Sequence, residues 1–230
     1  DLGWAMGNKD TQFVAICDVE KAWRDRVKDR VDKQYGNKDC AMYRDFRELL
    51  AQKDVDAVVR RSVELGINYF DAAEAYNAGR SEESLGRAVK GLPRDQLIIG
   101  TKVSPSNCYA RQLPQHCEAS LSRLGLDHLD LYMIHWPIHP HSIRHFTNDE
   151  AIIRNPPTVE EAFAALAQLK GQGKIRYIGV SNFGPARLDE ALRIWPDIIA
   201  NQLVYSLLTR AGELESLPRC RRLGVGVIGY

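Results

Sequence analysis

From Arg60 onward, short apolar runs and amphipathic stretches take turns along the chain, and few architectures accept that order. The apolar runs fall at about 68–71, 97–103, 129–135, 175–181, 198–204 and 225–229, and each predicts a strand. Between them, 82–89, Leu113 to Leu124, Thr158 to Leu169 and Pro185 to Ile194 carry apolar residues at helical spacing. Thr158 followed by Glu161 reads as a capping box, and Gly171 or Gly173 as the stop of that helix. Repeated strand–helix units imply parallel strands joined by right-handed crossovers. Six units fall short of the eight, in about 250 residues, that close a barrel. The expected fold is therefore an incomplete (β/α)8 TIM barrel occupying residues 60–230. An open parallel sheet has unpaired edges, and residues 13–17 or 55–59 are candidates to cover one of them.

Three of the predicted strands end on chemically loaded residues. They are Asn68-Tyr-Phe-Asp71, Leu97-Ile-Ile-Gly-Thr-Lys102 and Leu129-Asp-Leu-Tyr-Met-Ile-His135. Catalytic groups of a parallel barrel sit at the C-terminal ends of its strands, because all those ends open on one face. Asp71, Lys102 and His135 hold such positions, and Tyr76 follows the first strand on the adjoining loop. A phenol is a poor acid at neutral pH unless its anion is stabilised. A lysine ammonium does that, and an aspartate keeps the lysine charged and in place. The expected product is a tuned general acid, with a neutral imidazole to orient a substrate oxygen. Such a set suits protonation of a carbonyl oxygen while hydride arrives at carbon.

Charge and cysteine content narrow the partners. The 230 residues carry 31 basic and 30 acidic side chains, a net charge of +1, which argues against nucleic acid or an anionic membrane. A small-molecule ligand is expected instead. No apolar run approaches the roughly 18 residues of a spanning helix, and residue 1 does not begin a signal peptide. Five scattered cysteines fit reduced thiols, so a cytoplasmic location is expected. The histidine-rich run from His135 to His145 holds two prolines, which keep a helix from aligning the imidazoles, so it reads as a proline-stiffened loop and no metal site is expected.

Residues 1–59 differ in character. An apolar run, Thr11 to Val19, ends on Asp18 and is followed by a charged helix over about 20–34. A strand-end carboxylate before a helix is the ribose-binding half of a dinucleotide unit, but the glycine-rich turn that should precede it is absent. Tyr43 to Leu50 predicts a short helix, and Val55 to Val59 a buried strand or the opening of the next helix. "FVAICDVE", "YRDFRELL" and "DVDAVV" make this segment similar to a partial Rossmann-like nucleotide-binding domain of the glucose-fructose oxidoreductase (Gfo/Idh/MocA) family.

The longer segment resembles the aldo-keto reductases through "GINYFDAAEAYNAGRSEESLGRAV", "IIGTKV", "LDLYMIHWP", "GKIRYIGVSNF", "NQLVYSLL" and "GVGVIGY", in that order. The resemblance implies a (β/α)8 barrel that binds NADP, or NAD, without a Rossmann domain or metal, and reduces aldehydes or ketones. It implies Tyr76 as proton donor, Asp71 and Lys102 as the pair that tunes it, and His135 as the group that orients the carbonyl. Ser181, Asn182 and Gln202 are implied to bind the carboxamide and Tyr205 to stack on the nicotinamide. Those residue types also suit the tasks: an amide pairs with an amide, and a phenol ring covers an aromatic cation. Trp136 would line an apolar substrate wall or simply pack the barrel rim.

The family's phosphate-binding loops follow its seventh and eighth strands, beyond Tyr230, so weak cofactor affinity is expected of this chain. Two other readings stand beside the reductase. One is a non-catalytic, reductase-like binding or regulatory module; the other is a sugar-type dehydrogenase working through Asp18. Oligomeric state and substrate are not legible.

Overall fold

The computed structural model describes residues 15–17, 20–44 and 54–230. The chain divides into two compact units, 1–58 and 59–230. In the first, β1 (Ala15–Cys17) and β2 (Ala41–Tyr43) pair in parallel, joined by α1 (Lys21–Tyr35). Gly36, at φ 68, ends α1 in the left-handed conformation that a side chain resists. Val31 and Cys40 form its small core with Ile16, Val27 and Tyr35. Asp18, and 45–50 of the helix expected from Tyr43, lie outside the described residues.

Residues 55–59 are helical, within α2 (Asp54–Glu64), and cover no sheet edge. Val59 and Val63, one helical turn apart, both pack on the main core from this helix. Residues 15–17 pair with β2 in their own two-stranded sheet, so neither expected edge cover joins the larger one.

The second unit is a six-stranded parallel sheet whose spatial order, β3-β4-β5-β6-β7-β8, is the order of the chain. The strands are β3 (Tyr69–Asp71), β4 (Ile98–Val103), β5 (Leu129–Ile134), β6 (Ile175–Ser181), β7 (Ile198–Leu203) and β8 (Gly226–Gly229). The two edge strands, with three and four residues, are the shortest of the six. Short edges present little backbone for unwanted pairing.

Between the strands lie α3 (Arg80–Val89), α4 (Leu113–Leu124), α5 (Pro140–Ile143), α6 (Glu150–Arg154), α7 (Val159–Gly171), α8 (Pro185–Ile194) and α9 (Ser216–Leu223). The capping box at Thr158 forms as expected: its hydroxyl accepts from Glu161 N, and the Glu161 carboxylate accepts from Thr158 N. Gly86 sets the approach of α3 to α4, since a Cβ there would lie 2.5 Å from the Leu124 carbonyl oxygen.

Side-chain alternation gives the sheet two different faces. Ile99, Val103, Tyr132, Ile134, Ile178 and Val180 pack into the core shared with the helices. The opposite face gathers Leu131, Met133 and Ala200, with Tyr69 and Ile228 against them. A register shift between Ile178 and Gly179 accommodates Ile199 as an extra residue of β7.

The histidine run is not wholly a loop. Pro140 starts the single turn of α5, where its missing N–H costs nothing, and His139 Nδ1 accepts from His141 N at 3.2 Å. His141 and His145 stand edge to face, 5.5 Å apart. Among the described residues, no three His, Cys, Asp or Glu side chains are grouped to hold a metal ion, and no helix is long and apolar enough to cross a membrane.

Candidate active site

Period-two alternation puts the expected residues on one face. Asp71 is two residues beyond Tyr69, His135 two beyond Met133 and Gln202 two beyond Ala200, so all three continue the face opposite the helices toward the C-terminal strand ends. Lys102 is in register with Met133, and Ser181 with Gln202.

Lys102 is wholly buried at the centre of the site, and its Nζ donates to Asp71 Oδ2 and to the Ala72 carbonyl, both at 2.6 Å. The same nitrogen lies over the face of the Tyr76 ring, 4.5 Å from its centroid. Tyr76 meets His135 edge to face at 5.3 Å, and Phe146 covers another side of the imidazole, also at 5.3 Å. The structure thus brings Asp71, Lys102, Tyr76 and His135 together. Trp136 contacts His145 and Phe146.

The electrostatics differ from the sequence expectation at one point. Burial raises the Tyr76 phenol above its ordinary value, and the Asp71 carboxylate adds to the rise. The Lys102 ammonium over the ring does not offset that rise, so the phenol is not acidified. Burial lowers the Lys102 ammonium, against the opposing pull of Asp71. His135 is pushed down to about 4 by burial and by the Lys102 charge, which makes it a neutral imidazole at physiological pH. Its buried Nδ1 has no hydrogen-bond partner.

Ser181 and Gln202 sit side by side, 1% and 4% exposed. The Gln202 amide has no hydrogen-bond partner among the described residues. Asn182, at φ 63, donates from Nδ2 to the His135 carbonyl (3.2 Å) and to Ser181 Oγ (3.0 Å), which ties β5 to β6 at the mouth. Tyr205 lies on the connection after β7, where its hydroxyl donates to Glu213 Oε1 at 2.7 Å.

Three residues that sequence reasoning passed over belong to this mouth. The Tyr230 hydroxyl donates to Asn182 Oδ1 at 2.7 Å, near enough to Tyr76 for the two phenols to influence each other. Tyr69 donates to Asp71 Oδ1 at 3.1 Å and lies across Gly100, where a Cβ would come within 2.8 Å of its oxygen. Glu74 ties the Tyr76 loop to its neighbours. A tyrosine two residues before a strand-end aspartate was a readable signal for Tyr69; Glu74 and Tyr230 had none.

Acid and base groups at the C-terminal ends of parallel strands in successive βα units are the arrangement of a barrel-type α/β fold. The family follows: the Aldo/keto reductase family model matches residues 42–230, and the chain belongs to that family. It is similar to two Escherichia coli (strain K12) proteins, the NADH-specific methylglyoxal reductase (38% identical over 184 residues, 72% of this chain and 52% of that protein) and methylglyoxal reductase YeaE (35% over 176 residues, 76% and 56%). Among solved structures it resembles an aldo/keto reductase from Klebsiella pneumoniae in complex with NADP and acetate, at 31% identity and TM-score 0.66, over 78% of this chain and 58% of that one. The chain spans about half the length of the curated relatives it matches.

Proposed function

We propose that the chain acts as an NAD(P)H-dependent carbonyl reductase, converting an aldehyde or ketone to an alcohol. The observation that carries this reading is the meeting of one phenol, one buried ammonium–carboxylate pair and one neutral imidazole at the C-terminal strand ends. Kinship with two methylglyoxal reductases supports a small, activated carbonyl compound as substrate. One relative is named for NADH and one structure holds NADP, so both cofactors are proposed.

A bound reduced nicotinamide supplies the hydride to the carbonyl carbon. His135, uncharged, donates a hydrogen bond that orients the carbonyl oxygen without protonating it. Tyr76 gives its proton to that oxygen as the C–O bond becomes single, and the Lys102 ammonium, held over the phenol ring by Asp71, is the positive charge beside it. The unpartnered Gln202 amide beside Ser181 fits a carboxamide, which needs a donor and an acceptor together. Tyr205 is proposed as the ring that stacks on the nicotinamide, its hydroxyl anchored by Glu213, and Tyr230, whose hydroxyl reaches Asn182, as a second aromatic ring at the same mouth.

For residues 1–59 we propose a partial Rossmann-like piece; the parallel β1-α1-β2 crossover supports it. Turnover of methylglyoxal with NADPH and with NADH tests the whole reading. Tyr76→Phe is expected to cut reduction to a small residual rate and leave cofactor quenching of tryptophan fluorescence unchanged, and unchanged turnover refutes the assignment. Asp18→Ala is expected to leave that titration unmoved.

A further inference from the structure

Tyr76 follows β3 on a loop that continues the pairing with β4 past the last strand residue. Ala72 N donates to the Gly100 carbonyl (2.9 Å) and Glu74 N to the Lys102 carbonyl (3.2 Å), and Tyr76 N closes a turn on the Ala73 carbonyl (3.0 Å). The two residues after Tyr76 are strained: Asn77 and Ala78 stand at φ 52 and 54, a region that non-glycine residues hold only when their surroundings impose it. A cavity of about 450 Å³ adjoins the loop, lined by Glu74, Ala75, Ala78, His116, His145 and Phe146 among others.

One carboxylate adds side-chain bonds to those of the backbone. Glu74, 7% exposed at its side chain, accepts from Ser104 N at 2.7 Å and Asn107 Nδ2 at 2.8 Å through Oε1, and pairs with His116 Nδ1 at 2.7 Å through Oε2. All three partners belong to the β4–α4 connection or to α4 itself. Burial alone would raise this carboxyl, yet the bonds from His116, Ser104 and Asn107 hold it below its ordinary value, so it is charged and its bonds are strong. We infer that Glu74 is a positioning residue for Tyr76: its buried carboxylate clamps the strained loop to the segment that follows Lys102, and so fixes the phenol against Lys102 and His135. This rests on the reading of Tyr76 as the proton donor.

Hydrogen exchange on the cofactor-free protein, read beside methylglyoxal turnover with NADPH, tests the clamp. Glu74→Ala is expected to speed exchange of the Tyr76 and Ser104 amides about tenfold or more while β6 and β7 exchange as before. It is expected to lower kcat about 10²-fold, the scale of a displaced catalytic group, with NADPH affinity unmoved. Glu74→Gln keeps an acceptor for Ser104 and Asn107 and is expected to recover most of kcat. In a Tyr76→Phe background, Glu74→Ala is expected to remove no further residual turnover, because the group it positions is already gone.

Loop amides that exchange at the wild-type rate in Glu74→Ala overturn the inference, as does an additive loss in the Tyr76→Phe background. Should Glu74→Ala speed exchange throughout the sheet, Asn107→Ala, which removes one donor of the three, is read by the same criteria. If the wild-type protein reduces no carbonyl compound, the reductase reading falls and exchange at Tyr76 and Ser104 alone decides whether the clamp stands.

Discussion

Replacing Asp71 with asparagine isolates the energetics at the centre of the site. In Asp71→Asn, the wholly buried Lys102 ammonium keeps the Ala72 carbonyl but loses its counter-charge, 2.6 Å away. Breaking a fully buried pair by removing one partner costs about 3–5 kcal/mol. The Asp71 side chain is 25% exposed, so solvent already screens part of the interaction and a cost of about 2–3 kcal/mol is expected. Lys102 can escape that cost by losing its proton, at about 1.36 kcal/mol per pH unit.

The sign follows from linkage. Burial already lowers the folded-state value of Lys102 below that of the unfolded chain, and the substitution lowers it further. The unfolded chain then binds more protons than the folded one as the lysine titrates, so the deficit of the variant is full at neutral pH and shrinks as pH rises toward the unfolded lysine value near 10.4. Urea unfolding followed by tryptophan fluorescence at pH 7 and at pH 9.5 measures it. Adding Lys102→Met to Asp71→Asn should restore much of the loss, since no buried charge remains. A deficit that is the same at both pH values, or a double variant weaker than Asp71→Asn alone, refutes the reasoning.

Other consequences are open to the same measurements. Gly100→Ala puts a methyl group 2.8 Å from the Tyr69 oxygen, so it should cost about 1–3 kcal/mol and release Tyr69 from Asp71, read as a lowered urea midpoint and a loss of turnover. Ala78→Gly relieves a left-handed residue and should raise stability by up to about 1 kcal/mol; a destabilised variant would show that the strain is not there. His135 falls from an ordinary value near 6.5 to about 4, so the unfolded chain binds more protons between those limits and stability contributed by the neutral ring is lost as pH falls through that window. An NMR titration of the ring with an inflection near 6.5 would refute that.

The strands were the most legible part of this chain. Every predicted strand of the larger sheet lies within one residue of its observed bounds at each end; those at its centre, buried on both faces, show as unbroken apolar runs between turn residues. The strand-end positions of Asp71, Lys102 and His135 were legible for the same reason. Glu74 and Tyr230 were not: their partners lie 30 to 48 residues away, and nothing local marks an ordinary glutamate or tyrosine as one end of such a bond. The direction of the Tyr76 shift was hidden too, since it depends on how deeply the phenol is buried and how near Asp71 lies. Residues 55–59 misled because a short valine-rich run suits a strand and a helix alike.

The order of strands in the larger sheet matches the order in which a ribosome would make them. Every strand after the first finds its hydrogen-bonding neighbour one crossover earlier in the chain, so only β3 has to wait, unpaired, for a segment not yet synthesised. Growth can proceed by laying each new unit on the last, with Asp71 and Lys102 joined before β5, which precedes His135, has been translated.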